Sequence, residues 1–233
     1  MAKADLRTLR QAQGLHPERS RRMRKGLFIT FEGPEGCGKS TQSRLLYGHL
    51  KRSYDCIHTR EPGGTKLGER VRNVLLHSGL IKISDLAELF LFEAARAQIV
   101  REVIAPALKQ KKIVICDRFS DATFSYQGYG GKVPRESIGK LDRIATAGIS
   151  PDITILLDVD TVTGLRRAKR KGVDRMEKKD LAYHRRVRAG YLKRARAEPG
   201  RIKVIRVTGG IDEIQTMVRD KVDRVIQRYT RAG

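Results

Sequence analysis

The stretch FEGPEGCGKST, residues 31–41, lies between the apolar run LFIT and the sequence QSRLL, whose apolar residues have helical spacing. Gly33, four further residues, and then Gly38, Lys39 and Ser40 match the spacing of a phosphate-binding loop. In such a loop, backbone N–H groups point inward and the following helix adds its positive N-terminal end. The sequence therefore predicts a polyphosphate site between a strand and a helix.

Two side chains of this loop have predicted roles. Lys39 would reach the outer phosphates as a point charge, and Ser40 would offer its hydroxyl to Mg²⁺, which prefers oxygen ligands. The alternative is a glycine-rich turn followed by a chance lysine. The predicted ATP-binding residues are Gly33, Pro34, Glu35, Gly36, Cys37, Gly38, Lys39, Ser40 and Thr41.

Short β-rich runs alternate with longer helical patterns along the chain, which is typical of a parallel sheet covered by helices. The predicted strands are 27–31, 56–60, 112–117, 153–159 and 202–207. The predicted helices are 39–52, 67–77, 84–110, 134–147, 161–171, 177–197 and 211–230. We expect an α/β, P-loop NTPase three-layer fold with a five-stranded parallel sheet and helices on both faces. The third and fourth strands are continuously apolar and should be central.

Charge is distributed unevenly along the 233 residues, which carry a formal charge of +23. Residues 1–25 hold eight Lys or Arg against two acidic residues and read as a basic, disordered extension, leaving 26–233 as a single domain. Such a charge fits either nucleic acid or several bound phosphates. With 6% aromatics and no tryptophan, the basic stretches lack interleaved stacking rings, so we expect no specific nucleic-acid partner.

The compartment is predicted from cysteine usage and hydropathy. The three cysteines lack the paired spacing of a zinc site or disulfide framework, which favours a reducing compartment. No apolar run approaches the roughly twenty residues that span a bilayer. We expect a soluble, cytoplasmic protein without a membrane span.

Polar residues follow the second and third predicted strands, where ligands bind in an open parallel sheet. Arg60 would point toward the phosphate loop, or would be a solvated charge in a surface turn. Asp117 could hold Mg²⁺ directly or through water. Arg118 suits an anionic acceptor and favours transfer over hydrolysis. The alternative is a local ion pair between Asp117 and Arg118.

Phe92 and Arg96 are four residues apart on one predicted helix and therefore share a face. Together they could stack on a planar base and hydrogen-bond it. Alternatively, Phe92 is a core residue and Arg96 extends its guanidinium to water.

These motifs occur, in order, with DRFSDATFSYQG at 117–128 and an arginine-rich stretch ending VDRMEKKD at 173–180. In this set and order the chain resembles thymidylate kinase, closely the bacterial form, over residues 26–230. The resemblance implies an ATP-dependent nucleoside monophosphate kinase that transfers the γ-phosphoryl of ATP to dTMP, giving ADP and dTDP. It also implies Mg²⁺ as cofactor, ATP and dTMP as partners, and a homodimer.

The resemblance implies a dTMP site in which arginines bind the monophosphate and an aromatic ring stacks on thymine. Arg60 and Arg118 match the arginines, Phe92 the ring and Arg96 a donor to a thymine carbonyl, while Glu35 lies near the 3′-hydroxyl of the acceptor sugar. The implied dTMP-binding residues are Glu35, Arg60, Phe92, Arg96, Arg118, Thr123, Tyr126 and Gln127.

Within DRFSDATFSYQG, Thr123 and Gln127 match positions at the base edge. Tyr126 matches a tyrosine under the sugar that disfavours a 2′-hydroxyl. Asp117 matches an aspartate that assists Mg²⁺ and the reacting phosphates, so the implied metal residues are Ser40 and Asp117.

The family has two types that differ in the position of a catalytic arginine. One type places it in the P-loop, where this chain has Gly36, so the sequence resembles the type that supplies it from a lid, here about 163–180. The lid candidates are Arg166, Arg167, Arg170, Lys171 and Arg175, of which we favour Arg167 and Arg170, with Lys171 next. The implied catalytic residues are Lys39, Asp117, Arg118, Arg167 and Arg170.

Two other functions fit parts of the sequence. A different nucleoside monophosphate kinase would keep the P-loop but not the base-pocket residues, and a nucleic-acid-binding P-loop NTPase would use the basic charge. The turn VTGGIDEI, 207–214, resembles the place where related kinases bind adenine, but an ordinary strand-to-helix turn fits it equally.

Overall fold

The central sheet consists of five parallel strands in the order β2-β3-β1-β4-β5 in the computed structural model, which describes residues 23, 25–77, 81–170 and 174–230. The strands are β1 Leu27–Glu32, β2 Cys56–Arg60, β3 Ile113–Asp117, β4 Ile153–Asp158 and β5 Ile202–Arg206. Every residue of β1, β3 and β4 is buried. The predicted α/β fold is confirmed, and β3 and β4 flank β1 inside the sheet, as their apolar sequences predict.

The helices are α1 Lys39–Leu50, α2 Lys66–His77, α3 Asp85–Ile99, α4 Ala105–Lys109, α5 Ser120–Thr123, α6 Arg135–Ala145, α7 Thr161–Lys169, α8 Leu181–Ala197 and α9 Ile211–Thr230. Two π-helical turns, Val100–Ile104 and Phe124–Gly130, extend α3 and α5. Side-chain oxygens of Ser84, Asp160 and Asp180 accept backbone N–H groups and so fix the starts of α3, α7 and α8.

Alternate residues of β1 face opposite layers of the fold. Leu27, Ile29 and Phe31 pack in the cluster that includes residues of α1 and α9. Phe28 packs on the other face against Ile99 and neighbouring apolar residues of α3 and β3. Helices therefore cover both faces of the sheet, which explains why β1 is apolar along its length.

The observed helices differ from prediction at three places. The predicted helix 84–110 is interrupted by the π turn before α4, where Pro106 has no N–H to donate to the preceding turn. The predicted helix 177–197 begins only at Leu181, because Asp180 is its N-cap. Residues 120–130 form α5 and a π turn that the sequence did not predict.

Parts of the predicted extension and lid lie outside the described residues, namely 1–22, 24 and 171–173. Of the extension, Met23 is buried in the core cluster, and the Nζ of Lys25 lies 3.4 Å from Asp152 Oδ1. The domain boundaries stay a prediction. No helix in the described ranges is long and apolar enough to cross a bilayer.

Candidate active site

A cleft of about 1300 Å³ runs along the carboxyl edge of the sheet. Its position follows from strand register, because Asp117 at the end of β3 pairs with both Phe31 of β1 and Arg60 of β2. Three strand ends, and the loops that follow them, therefore open into one space. The predicted phosphate loop, monophosphate arginines and base-pocket residues all line this cleft.

Lys39 lies inside the phosphate loop. Its side chain is buried, and its Nζ donates to the carbonyl oxygens of Gly33 and Pro34, both at 2.9 Å. The ammonium group is thus held where the outer phosphates of a nucleotide in the loop would lie.

The two predicted metal residues meet at the floor of the cleft. Ser40 Oγ donates to Asp117 Oδ2 at 2.5 Å, although the two residues are 77 positions apart in sequence. A hydroxyl and a carboxylate are the hard oxygen donors that Mg²⁺ prefers when phosphates and waters complete its shell. Among the described residues, no group of three or more His, Cys, Asp or Glu side chains forms a metal site. The donors present therefore fit a nucleotide-bound Mg²⁺.

The lid helix α7 touches the phosphate loop at two glycines. Gly36 has a φ of +66°, and a Cβ there would lie 2.0 Å from the carbonyl oxygen of Gly164. A Cβ at Gly164 would in turn lie 2.3 Å from the carbonyl oxygen of Glu35. No side chain fits at either position while α7 lies on the loop, and the contact brings Arg167 alongside Gly36.

Arg118 is held by a cluster of polar side chains beside the loop. Its guanidinium donates to Glu35 Oε1 at 2.7 Å, to Tyr126 Oη at 3.1 Å and to Tyr191 Oη at 3.3 Å. Burial raises the pKa of Glu35, but Arg118 and Lys39 outweigh burial and lower the pKa to about 2. The alternative of a local pair between Asp117 and Arg118 is wrong, because Arg118 pairs with Glu35 and Asp117 bonds Ser40.

Glu32, which the sequence analysis missed, supports this cluster from the end of β1. It is fully buried and accepts the backbone N–H of Phe119 at 2.7 Å and the hydroxyl of Tyr191 at 2.8 Å. Burial raises the pKa of Glu32 to about 7. Since Tyr191 also bonds Arg118, Glu32 orients the partners of that arginine. An acidic residue at the end of a fully buried, mostly apolar strand was the signal that could have identified it.

Arg60 lies at the end of β2, on the opposite side of Asp117 from the phosphate loop strand. Its Nη2 donates to both carboxylate oxygens of Glu69, at 3.1 and 3.0 Å, and its side chain is 51% exposed. Arg60 lines the cleft and is paired with Glu69, so it is not a free solvated charge. It is, however, more exposed and less firmly held than Arg118. Glu69 was not predicted from the sequence.

The base-pocket residues predicted on α3 lie together in the cleft. Phe92 is half-buried, while Arg96 is 1% exposed and donates to Glu61, Glu93 and Thr123 at 2.7 to 3.0 Å. The alternative that Arg96 extends its guanidinium to water is therefore wrong. Burial lowers the pKa of Arg96, but the surrounding carboxylates outweigh burial and raise it. Its charge is permanent and its plane is fixed.

Gln127 lines the same end of the cleft as Phe92 and Arg96. Its Nε2 donates to Glu88 Oε1 at 2.8 Å, and Glu88 is buried. Tyr126, one residue earlier, turns its hydroxyl toward Glu35 at 2.5 Å. The structure thus brings together all the residues of the implied dTMP set.

The lid arginines are placed differently from one another. Arg167 and Arg170 are both exposed, but only Arg167 is among the described residues that line the cleft. Arg175 donates to Leu75 O at 2.7 Å and to Glu88 Oε2 at 2.5 Å, so its guanidinium holds α2 to α3. Lys171 lies outside the described residues.

The turn after β5 also contributes to the cleft. Gly209, Gly210 and Ile211 line it, and Gln42 Nε2 donates to Ile211 O at 2.9 Å. This turn is therefore attached to α1, the helix that follows the phosphate loop.

A family model for thymidylate kinase matches residues 31–218, which include every site residue above. The chain belongs to the thymidylate kinase family. Curated thymidylate kinases of Pelobacter propionicus and Deinococcus radiodurans are each 46% identical to it, covering 83% and 84% of this chain and 92% and 96% of the relative. The crystal structure of thymidylate kinase from Ehrlichia chaffeensis has a TM-score of 0.72 and 37% identity, covering 85% of this chain and 99% of that one.

The thymidylate kinase comparisons confirm three predictions: the family, the P-loop α/β fold, and an ATP-dependent nucleoside monophosphate kinase of nucleotide biosynthesis. They do not test the roles of single residues. The residues of the site that sequence reasoning missed include Glu32, Glu61, Glu69, Glu88 and Glu93. Each is a carboxylate that binds a predicted residue or its support.

Proposed function

We propose that this member of the thymidylate kinase family transfers the γ-phosphoryl group of ATP to dTMP, with Mg²⁺, and that the residues assembled in the cleft carry the reaction. One observation supports this most strongly: a single cleft joins the phosphate loop to the pocket formed by Phe92, Arg96 and Gln127. Two nucleotides bound at its ends would meet phosphate to phosphate beside Arg118.

Both reactants are anions, so the main barriers are repulsion, in-line placement and charge on the moving group. Lys39 would neutralise the outer phosphates of ATP, and Arg118 and Arg60 would bind the acceptor phosphate. Arg167, which lines the cleft beside Gly36, is the lid arginine that we assign to the transferring group. Arg170 remains a second candidate.

Ser40 and Asp117 are the residues that would hold Mg²⁺. When bound, the ion supplies charge neutralisation on the phosphate oxygens. A phosphate acceptor is already largely ionised at neutral pH, so no strong general base is needed. This agrees with Glu35, whose lowered pKa and bond to Arg118 suit a role in binding and orientation rather than proton abstraction.

At the acceptor end, Phe92 would stack on the base, and Arg96, Thr123 and Gln127 would face its polar edge. The Tyr126 hydroxyl, held by Glu35, would lie against the sugar. We assign the turn 209–211 to adenine because it lines the cleft and is bonded to Gln42 of α1, the helix that follows the phosphate loop.

A nucleic-acid-binding NTPase is disfavoured by the ion pairs of the basic stretch. Arg188 pairs with Asp158, and Arg194 and Arg201 pair with Asp121. These guanidinium groups neutralise carboxylates of the protein itself.

We also propose a homodimer in the cytoplasm. Helices α2 and α3 pack together and expose large apolar side chains, among them Leu67 at 45%, Leu86 at 52% and Phe90 at 52%, which a second copy could cover. The three cysteines are buried thiols, which agrees with a reducing compartment.

A coupled ADP-release assay tests the proposed function. The purified chain is incubated with ATP, Mg²⁺ and, in turn, dTMP, dUMP, dCMP, UMP, CMP, AMP and GMP. We expect a strong preference for dTMP and loss of activity in Lys39→Ala. Preference for a purine nucleotide would contradict the assigned base pocket, and nucleic-acid-stimulated hydrolysis without an acceptor would favour the NTPase alternative.

A further inference from the structure

We propose that Glu88 is a positioning residue that sets the nucleobase choice of the acceptor pocket. By holding the Gln127 amide in one orientation, Glu88 selects a pyrimidine with a ring N–H, such as thymine or uracil, and rejects cytosine. The inference rests on the proposed function, because it requires a nucleobase beside Gln127.

The orientation of the Gln127 amide follows from hydrogen bonding. Glu88 is 3% exposed and its Oε1 accepts from Gln127 Nε2 at 2.8 Å. An ionised carboxylate can only accept, so the amide nitrogen must face Glu88. No donor among the described residues bonds the Oε1 of Gln127, and this side chain lines the cleft. The amide oxygen is therefore left to accept from a ligand.

Arg175 holds the Glu88 carboxylate in place, and this carboxylate in turn holds the Gln127 amide. Its Nη2 donates to Glu88 Oε2 at 2.5 Å, so the two oxygens of Glu88 have different partners: Gln127 on one side and Arg175 on the other. The Nε of Arg175 bonds Leu75 O at 2.7 Å, which anchors the guanidinium to α2. Rotation of Glu88 would break both side-chain bonds, and reversal of the amide would place its oxygen against a carboxylate.

This orientation of the Gln127 amide discriminates between pyrimidine bases, because they differ in the protonation of ring nitrogen 3. Thymine and uracil carry an N–H at ring position 3, which can donate to the Gln127 oxygen. Cytosine has an unprotonated acceptor nitrogen at that position, so two acceptors would face each other. Cytosine would need the reversed amide, which Glu88 disfavours. A site that is built to pair with a ligand N–H rejects a ligand lacking it, because its buried polar group is then unpaired.

The test compares three variants with the wild type: Glu88→Gln, Arg175→Met, and Glu88→Gln combined with Arg175→Met. Glutamine keeps the shape of Glu88 but can donate as well as accept, so the Gln127 amide can reverse. Arg175→Met removes the anchor but leaves the carboxylate, so it is the matched variant in which the Gln127 amide still faces an acceptor. The double variant avoids an unpaired buried arginine if the single Glu88 variant does not fold.

The measured quantity is the ratio of kcat/KM for dTMP to that for dCMP, with thermal unfolding of each variant as a folding check. We expect Glu88→Gln and the double variant to lower this ratio at least about tenfold, and Arg175→Met to lower it clearly less, because the carboxylate that faces the amide remains. An unchanged ratio in folded Glu88 variants, or an equal loss in Arg175→Met, would overturn the inference. If the wild type itself does not phosphorylate dTMP, the proposed function is what fails.

Discussion

Two arginine–glutamate pairs stand at neighbouring strand ends and differ in how firmly they are held. Arg118 and Glu35 are 2.7 Å apart with side chains 18% and 15% exposed, and two tyrosine hydroxyls complete the cluster. Arg60 and Glu69 are 3.0 Å apart but 51% and 45% exposed. The sequence gives both arginines the same predicted role. In the function proposed above, Arg118 is therefore already positioned before the acceptor binds, whereas Arg60 would have to leave its exposed partner Glu69.

Replacing the preorganised arginine should have the largest effect. In Arg118→Ala, we expect turnover with dTMP to fall about a thousandfold or more, because no other group of the cluster can neutralise the acceptor phosphate. The coupled ADP-release assay measures it, and circular dichroism checks that the fold is retained. Arg118→Lys is the matched control, since it keeps the charge without the forked donors. Turnover within about threefold of the wild type would contradict a preorganised role.

Replacing the glutamate of each pair should lower the free energy of unfolding by different amounts. Glu35→Gln leaves a partly buried guanidinium without its carboxylate, and we expect the free energy of unfolding to fall by about 3 kcal/mol at pH 7. Glu69→Gln is the matched control and should cost less than about 1 kcal/mol, because its pair is exposed. Urea denaturation measures both, and equal losses would remove the distinction between the pairs.

The stability effect of Glu35 should also depend on pH. The pKa of Glu35 is lowered from 4.5 to about 2 in the folded protein, so the folded state binds fewer protons than the unfolded state between these values. The carboxylate therefore contributes fully above about pH 4.5, and its contribution declines as the pH falls toward 2. The difference between wild type and Glu35→Gln should narrow over this window. A difference that is constant down to pH 2.5 would contradict the lowered pKa.

Two arginines of the predicted lid, Arg167 and Arg170, should also differ in their effect on the reaction. We expect Arg167→Ala to lower kcat about a hundredfold and Arg170→Ala to lower it less than about fivefold, since only Arg167 lines the cleft. Single-turnover assays with saturating ATP and dTMP measure this difference. A larger loss in Arg170→Ala would assign the lid arginine to that position instead.

The exposed arginine should give the smallest effect on the reaction. We expect Arg60→Ala to raise KM for dTMP about tenfold and to change kcat less, because a mobile charge contributes to binding in both ground and transition states. Steady-state kinetics over a range of dTMP concentrations separate the two constants. A fall in kcat as large as that of Arg118→Ala would mean that both arginines are equally preorganised.

Most of the fold could be predicted from the sequence because its signals are local. The strands β1 to β5 end within two residues of prediction, since each is a short β-rich run followed by a turn or helix signal. The segment 120–130 could not be predicted, because its helical turns are held by distant residues: Tyr183 Oη donates to Tyr126 O, and Glu32 accepts from Ala122 N.

The sequence could predict site residues whose chemistry follows from their residue type and motif. It could not predict residues whose role depends on a partner far away in the sequence. Lys39, Ser40 and Asp117 occur in short motifs whose spacing has a physical reason. The residues that hold the site side chains in place do not occur in such motifs. Glu32 and Tyr191 are 159 positions apart, and Glu88 and Arg175 are 87 apart. Glu93, three residues before Arg96, is within helical reach of it, but nothing in the letters around Arg96 indicates the distant carboxylates of Glu61 and Asp142.

The backbone contact between Gly36 and Gly164 constrains how this enzyme could evolve. A single mutation to arginine at position 36 would force the lid helix off the loop, since even a Cβ has no room there. The contact therefore selects against any side chain at position 36 for as long as α7 packs on the phosphate loop.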